Sequence, residues 1–271
     1  MMKSCVTIAL VAQIKSGPWI FWDDLEESMS KARELGFDAI ELFTPSADAL
    51  KVGTLKKLLA RYNLQLAAVG TGAGKVIHGL TLTDPDSDVR EKAITFIEKM
   101  IDFGGMFGAP AIIGSMQGNV LAGNDRRETL LWLAEGLESL GDRAKQAGTF
   151  LIYEPLNRYE TNLLNTLEDG VKFLENYHIT NVKLLADLFH MNIEQADMAQ
   201  SIITANHHIG HIHFADSNRQ PIGNGHTEME SISKAIKTIE YKGYISAEAF
   251  PYPNSDKAAK TTIDSFKKYF N

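Results

Sequence analysis

Cysteine is almost missing from this chain. Cys5 stands alone among 271 residues, so no intramolecular disulfide and no thiolate-based zinc cluster can form, and the composition fits a reducing cytoplasm. Blocks of Lys and Arg are missing too. With 27 basic against 34 acidic residues, a net charge of -7 argues against nucleic acid as a partner and gives no reason to expect an anionic membrane surface. No apolar run approaches the roughly 18 residues of a membrane-spanning helix. The opening MMKSCVTIALVAQI, with one Lys and a short apolar run, shares the profile of a signal peptide. The helical pattern after it needs a strand in front, so it is read as a first strand. Pro/Ser-rich linkers and low-complexity tracts are absent as well.

What is present is alternation. With 44% hydrophobic and 23% charged residues, the chain can bury a large core. Strand-like runs occupy 5–12, 39–43, 64–70, 111–116, 150–155, 182–187, 209–216 and 244–250. Between them lie helical faces such as Leu130, Leu133, Leu137, Leu140 and Ala144, and Ile232, Ile236 and Ile239. DPDSD (84–88) caps a helix running through Phe103. Gly36, Gly148 and Gly243 each follow a helical run and precede a strand, where a left-handed C-terminal cap requires a residue without Cβ. Eight such units predict an α/β fold of the (β/α)8 TIM barrel type, one domain over 1–271. A doubly wound open sheet, the alternative, more usually carries a glycine-rich phosphate turn after its first strand. GTGAGK (70–75) fits neither GxGxxG nor a Walker A loop. It reads as a flexible loop after the third strand, and no nucleotide cofactor is expected.

In a β/α barrel the site is built at the C-terminal ends of the strands. Strand five ends at Glu154 and strand six at Asp187, with His190 three residues on. Strand seven carries His211 and His213 on one face, then Asp216 and Arg219 in its loop, and strand eight carries Glu248 in an apolar run. Singly, each has a plain structural reading: Glu154 a solvated strand end, Asp187 a helix cap, His211 and His213 core histidines, and Glu41, at the end of the second strand, a charge beside a helix, with a place facing the mouth as its alternative. Glu248 is harder to place without a cation, because its apolar flanks Ala247, Ala249 and Phe250 would leave the carboxylate desolvated. Together, Glu154, Asp187, His213 and Glu248 form three carboxylates and one imidazole at one mouth. They would repel unless a divalent ion held them, and the oxygen-rich set favours Mn²⁺, with Mg²⁺ or Co²⁺ as alternatives.

The segments EPLNRYE (154–160), DLFHMNIEQ (187–195), HFADSNRQPIGNG (213–225) and AEAF (247–250), in this order and spacing, resemble the ketose 3-epimerases of the tagatose/psicose 3-epimerase type, within the xylose isomerase-like TIM barrel superfamily. The likeness is specific across 150–250. It implies a metal held by Glu154, Asp187, His213 and Glu248, and a ketose or related polyol contacted by Glu160, His190 and Arg219. The implied reaction inverts C3 through an enediolate, with Glu154 and Glu248 as the acid/base pair on opposite faces. Asn157 and Arg158 are read as ordering the loop.

Two stretches depart from the family. GSMQGN (114–119) lacks the aromatic residue that follows the fourth strand, and VGTGAG (69–74) lacks the usual residues near the sugar. The particular ketose is therefore open. Competing readings on the same metal site are an aldose-ketose or hydroxypyruvate-type isomerase and a sugar or inosose dehydratase; the remoter ones are a DNA-repair endonuclease and a non-catalytic sugar-binding barrel. Trp19, Phe21 and Trp22 are read as exposed aromatics at a helix start, either a patch for a homo-oligomer or a lid over the pocket.

Overall fold

Every apolar run pairs in parallel with the next. The computed structural model describes residues 1–22 and 24–270. Its strands are β1 (Lys3–Ala9), β2 (Phe21–Trp22), β3 (Ala39–Phe43), β4 (Gln65–Gly70), β5 (Ala111–Ile113), β6 (Leu151–Tyr153), β7 (Val182–Asp187), β8 (Ile209–His213) and β9 (Tyr244–Ala247). All pairings are parallel, and β1 pairs with β9 as well as β3, closing eight strands into a (β/α)8 barrel. The short β2 continues the ladder beside β1, pairing Ile8 with Phe21 and Ala9 with Trp22 above the end of β9. That strand was not expected from the sequence. Phe21 is 2% exposed, so Phe21 and Trp22 belong to the sheet and not to an exposed helix start, while Trp19 lies just before the strand.

The helices are α1 (Leu25–Leu35), α2 (Val52–Tyr62), α3 (Ala73–His78), α4 (Ser87–Gly105), α5 (Arg126–Gln146), α6 (Leu167–Asn176), α7 (Leu188–Glu194), α8 (Met198–Ala205), α9 (Met229–Thr238) and α10 (Ser255–Phe270). Side-chain caps start them: Asp24, Asp86, Asp125 and Thr166 each accept a backbone N–H from their first turn. Gly36 and Gly148 adopt the left-handed conformation as expected. Gly243 does not; Glu240 takes the positive φ, and a Cβ at 243 would instead strike the Tyr241 ring. GTGAGK is not an open loop but the entry to α3. A Cβ at Gly70 would lie 2.2 Å from the Phe43 ring, and one at Gly74 2.5 Å from Met116 Sδ. These glycines serve close packing.

Two layers of core result. The large side chains, among them Ile8, Ile40, Leu42, Ile97, Leu137 and Tyr153, pack between strands and helices. Small clusters fill the barrel itself: Cys5, Ala39 and Ala67 in one, Ala68, Ile112, Ile152 and Leu185 in another. Most strands end earlier than their apolar runs: residues 214–216 and 248–250 stay mostly buried at the mouth beyond the paired registers. Leu137 is fully buried on the inner face of α5. Leu137→Ala should therefore lower stability by about 3 kcal/mol, read as a reduced urea midpoint at unchanged slope.

Candidate active site

Glu154, Asp187, His213 and Glu248 lie at or one residue past the ends of β6, β7, β8 and β9, and a ligand atom from each falls within 4.8 Å of the others. The sequence named these four, and the fold brings them together. His213 Nδ1 is the hub, 3.3 Å from Asp187 Oδ2 and 3.6 Å from both Glu154 Oε1 and Glu248 Oε2. Asp187 serves twice: Oδ1 accepts the backbone N–H groups of Phe189 and His190 at the start of α7, and Oδ2 faces the hub.

Charge and burial conflict here. Burial pushes Glu154 from an ordinary 4.5 up to about 8, against the pull of His213 and with repulsion from Glu248 and Asp187. Glu248 is likewise raised by burial, although His213 and Arg219 oppose it. Burial would also raise Asp187, but His190, His213 and Arg219 outweigh it and hold that carboxyl well below its usual range. His213, which burial alone would lower, is raised well above its ordinary value by Glu41, Glu248, Asp187 and Glu154. Glu154 Oε1 is buried without a hydrogen-bond partner. A site of this composition calls for a cation.

Glu160, His190 and Arg219 join the same mouth. Arg219 Nη2 donates to Glu248 Oε2 at 2.7 Å and Nη1 to Glu160 Oε1 at 3.4 Å, with the guanidinium over the Phe189 ring. Asn157 orders the loop as expected and also orients His190. Its Oδ1 accepts from Tyr159 N, so its Nδ2 donates to Glu160 Oε1 and to His190 Nδ1 at 2.7 Å. His190 Nε2–H is then left facing the carboxylates. Arg158 pairs outward with Glu194.

Glu41 overturns the helix-side part of its sequence reading. It lies not beside a helix but wholly buried inside the barrel, 2.7 Å from His211 Nε2 and 3.1 Å from His213 Nε2. A signal existed: an inward Glu on one strand and an inward His on another each lacked a partner. Gly114 was also missed, since a Cβ there would sit 2.5 Å from Glu154 Oε2. Gln117, in the divergent GSMQGN stretch, donates to the carbonyls of both Gly114 and Glu154 and holds that strand end in place.

Beside the carboxylates opens a cavity of about 170 Å³. Its wall is formed by Glu154, Glu160, His213, Arg219 and Glu248 together with the apolar Val11, Ile14, Pro18, Trp19, Phe43 and Val76. Trp19 thus faces the pocket. Thr71 Oγ1 and Thr44 Oγ1 donate to the carbonyls of Ile112 and Ser46, so two of the hydroxyls in that wall are committed to the protein itself.

A family model for the xylose isomerase-like TIM barrel matches residues 29–269. The chain belongs to that family. Within it, an L-ribulose 3-epimerase from Methylomonas sp. is 30% identical over 255 residues, 93% of this chain and 87% of that protein. A D-psicose 3-epimerase from Agrobacterium fabrum is 31% identical over 249 residues, 87% of this chain and 80% of its own. A D-allulose 3-epimerase from Methylomonas sp., solved in complex with D-allulose, has a TM-score of 0.82 at 24% identity, covering 99% of this chain and 97% of that one. This xylose isomerase-like barrel is accordingly an enzyme of the isomerase type. No helix among its described residues is long and apolar enough to cross a membrane.

Arg219 sits at φ 58 in a loop gathered by Asp216. That carboxylate accepts backbone N–H groups from Ser217, Gly223, Gly225 and Thr227, which hold it below its usual range although burial would raise it. Asp216→Ala should cost about 2–3 kcal/mol and speed amide exchange across residues 217–227, measured by hydrogen–deuterium exchange.

Proposed function

We propose that this chain is a divalent-metal-dependent ketose 3-epimerase acting on a small ketose, with Glu154 and Glu248 as its acid/base pair. One observation carries the reading: two buried carboxylates flank a common hub from strands β6 and β9, with β7 and β8 between them. Glu154, Asp187, His213 and Glu248 would hold the ion, and the unpartnered Glu154 Oε1 is the atom that fits this role most directly. Their oxygen-rich set suits Mn²⁺, Mg²⁺ or Co²⁺. When bound, the ion would supply Lewis-acid polarisation of a ketose carbonyl and its neighbouring hydroxyl, acidifying the C–H at C3.

The remaining chemistry belongs to the side chains. One carboxylate removes the C3 proton and the other returns a proton to the opposite face, so inversion needs both. His190 Nε2–H, oriented through Asn157, donates to the carbonyl oxygen as negative charge develops there. Arg219, bonded to Glu248, keeps that carboxylate aimed and adds positive charge beside the reacting carbons. Glu160 accepts from a sugar hydroxyl. The relatives named for L-ribulose and D-psicose support a free ketose as substrate. So does the cavity lining, where Arg219 is the one Lys or Arg side chain among the described residues and is already bonded to Glu248 and Glu160.

In D₂O with Mn²⁺, ketoses incubated with the enzyme should take up deuterium at C3 as the C3 epimer appears, both followed by NMR. Glu154→Gln and Glu248→Gln should each lower turnover by about 10²–10⁴-fold. Uptake at C1 with aldose formation would assign an aldose-ketose isomerase instead, and loss of water a dehydratase.

Metal binding should also depend on pH in a defined direction. Glu154 carries its proton up to about 8, and that proton must leave before the carboxylate can hold a cation. Mn²⁺ affinity should therefore rise between about pH 6 and about pH 8 with net proton release. Calorimetry in two buffers of different ionisation heat reads the released protons directly.

A further inference from the structure

Glu41 and His211 play no part in the chemistry above, yet both lie fully inside the barrel and are bonded to each other. Glu41 and His211 also form, with the shared His213, a second group of potential metal ligands directly beneath the first. The two groups differ in one decisive respect. In the upper one, Glu154 Oε1 has no partner; in the lower, each Glu41 oxygen is already paired with an imidazole nitrogen, Oε2 with His211 at 2.7 Å and Oε1 with His213 at 3.1 Å. An ion entering below would have to break both bonds.

The backbone is shaped for this contact. β3 and β8 are not neighbours in the sheet, so Glu41 reaches the histidines across the interior. Each strand pair carries a register shift beside these residues. Between β3 and β4, Ile40 pairs with Leu66 but Glu41 pairs with Ala68; between β7 and β8, Leu184 pairs with Ile209 but Leu185 pairs with His211. The additional residues, Ala67 and Gly210, are bulges, a device that re-aims the side chains beside it. At 210 a Cβ would lie 2.5 Å from Lys183 Cβ, so the bulge on β8 depends on its glycine.

We propose that Glu41, braced by His211, is a positioning residue that fixes His213 with its proton on Nε2, so that only Nδ1 is offered to the mouth and the site takes a single divalent ion. The inference rests on the metal-site reading above and assigns a role to residues outside it. A carboxylate behind a ligating imidazole fixes its tautomer and ring orientation, and losing one weakens metal binding by about 10- to 100-fold. Gln in place of Glu41 keeps the volume but puts an NH₂ donor where one of the two acceptor oxygens stood, so one of the two imidazole N–H groups loses its acceptor.

The test uses the full chain and the metals alone. Wild type, Glu41→Gln and His211→Gln are titrated calorimetrically with Mn²⁺. The tautomer of His213 is read by multiple-bond ¹⁵N–¹H NMR with diamagnetic Mg²⁺ bound, and circular dichroism reports folding. Expected are one ion per wild-type chain, His213 protonated on Nε2, and a Kd for Mn²⁺ weakened about 10- to 100-fold in Glu41→Gln. His211→Gln, which leaves the Glu41–His213 bond in place, should show a smaller loss and serves if Glu41→Gln does not fold. Folded variants with unchanged Kd, two ions in wild type, or His213 protonated on Nδ1 would each overturn the proposal while leaving the epimerase reading intact. A wild-type chain that binds no ion overturns both.

Discussion

Three carboxylates and one imidazole, buried together with a ligand atom of each within 4.8 Å of the others, form the constraint around which this barrel is arranged. Such a group is unstable by itself. Water is excluded, like charges face one another, and an oxygen of Glu154 is left with nothing to bind. Burial lifts the Glu154 carboxyl to about 8, and the surrounding carboxylates, against the effect of burial, hold His213 well above its ordinary range. The same groups that make the site costly to bury are those that the proposed function would employ to hold a cation and move protons.

Several features far apart in the chain are explained by the need to hold that group in place. Gly114 leaves room for Glu154 Oε2. Gln117 pins the backbone at the end of β6, Asp187 both caps α7 and faces the hub, and Asp216 gathers the loop that presents Arg219. The hydrophobic layer between strands and helices supplies the rigidity, and the small residues inside the barrel leave space for Glu41 and His211 below the mouth. The apolar wall of Val11, Ile14, Trp19 and Phe43 completes the cavity from the N-terminal half, the part of the chain whose sequence said least about substrate.

Much of this was readable in advance. A period of two in the strands and about 3.6 in the helices reports burial directly, so the eight-strand alternation followed from residue type alone. Glu154, Asp187, His213 and Glu248 stood out because a charged residue at the end of an apolar strand has few explanations. Glu41 did not, because it is a single carboxylate whose partners lie 170 and 172 residues away. The two bulges, the short β2 and the glycines that admit Phe43 and Met116 were equally invisible. Each depends on which segment lies opposite.

The sequence by itself determined the fold class, the strand ends that carry charge, and the chemical character of the mouth, because these follow from local pattern and composition. Only the tertiary structure decided that Glu41 lies inside the barrel, that His213 turns Nδ1 to the carboxylates and Nε2 to Glu41, and that Trp19 faces the cavity. Those outcomes depend on register and on contacts across the barrel. A shift of one residue in a strand sends a side chain to the opposite face, and local pattern does not encode the distance across the ring.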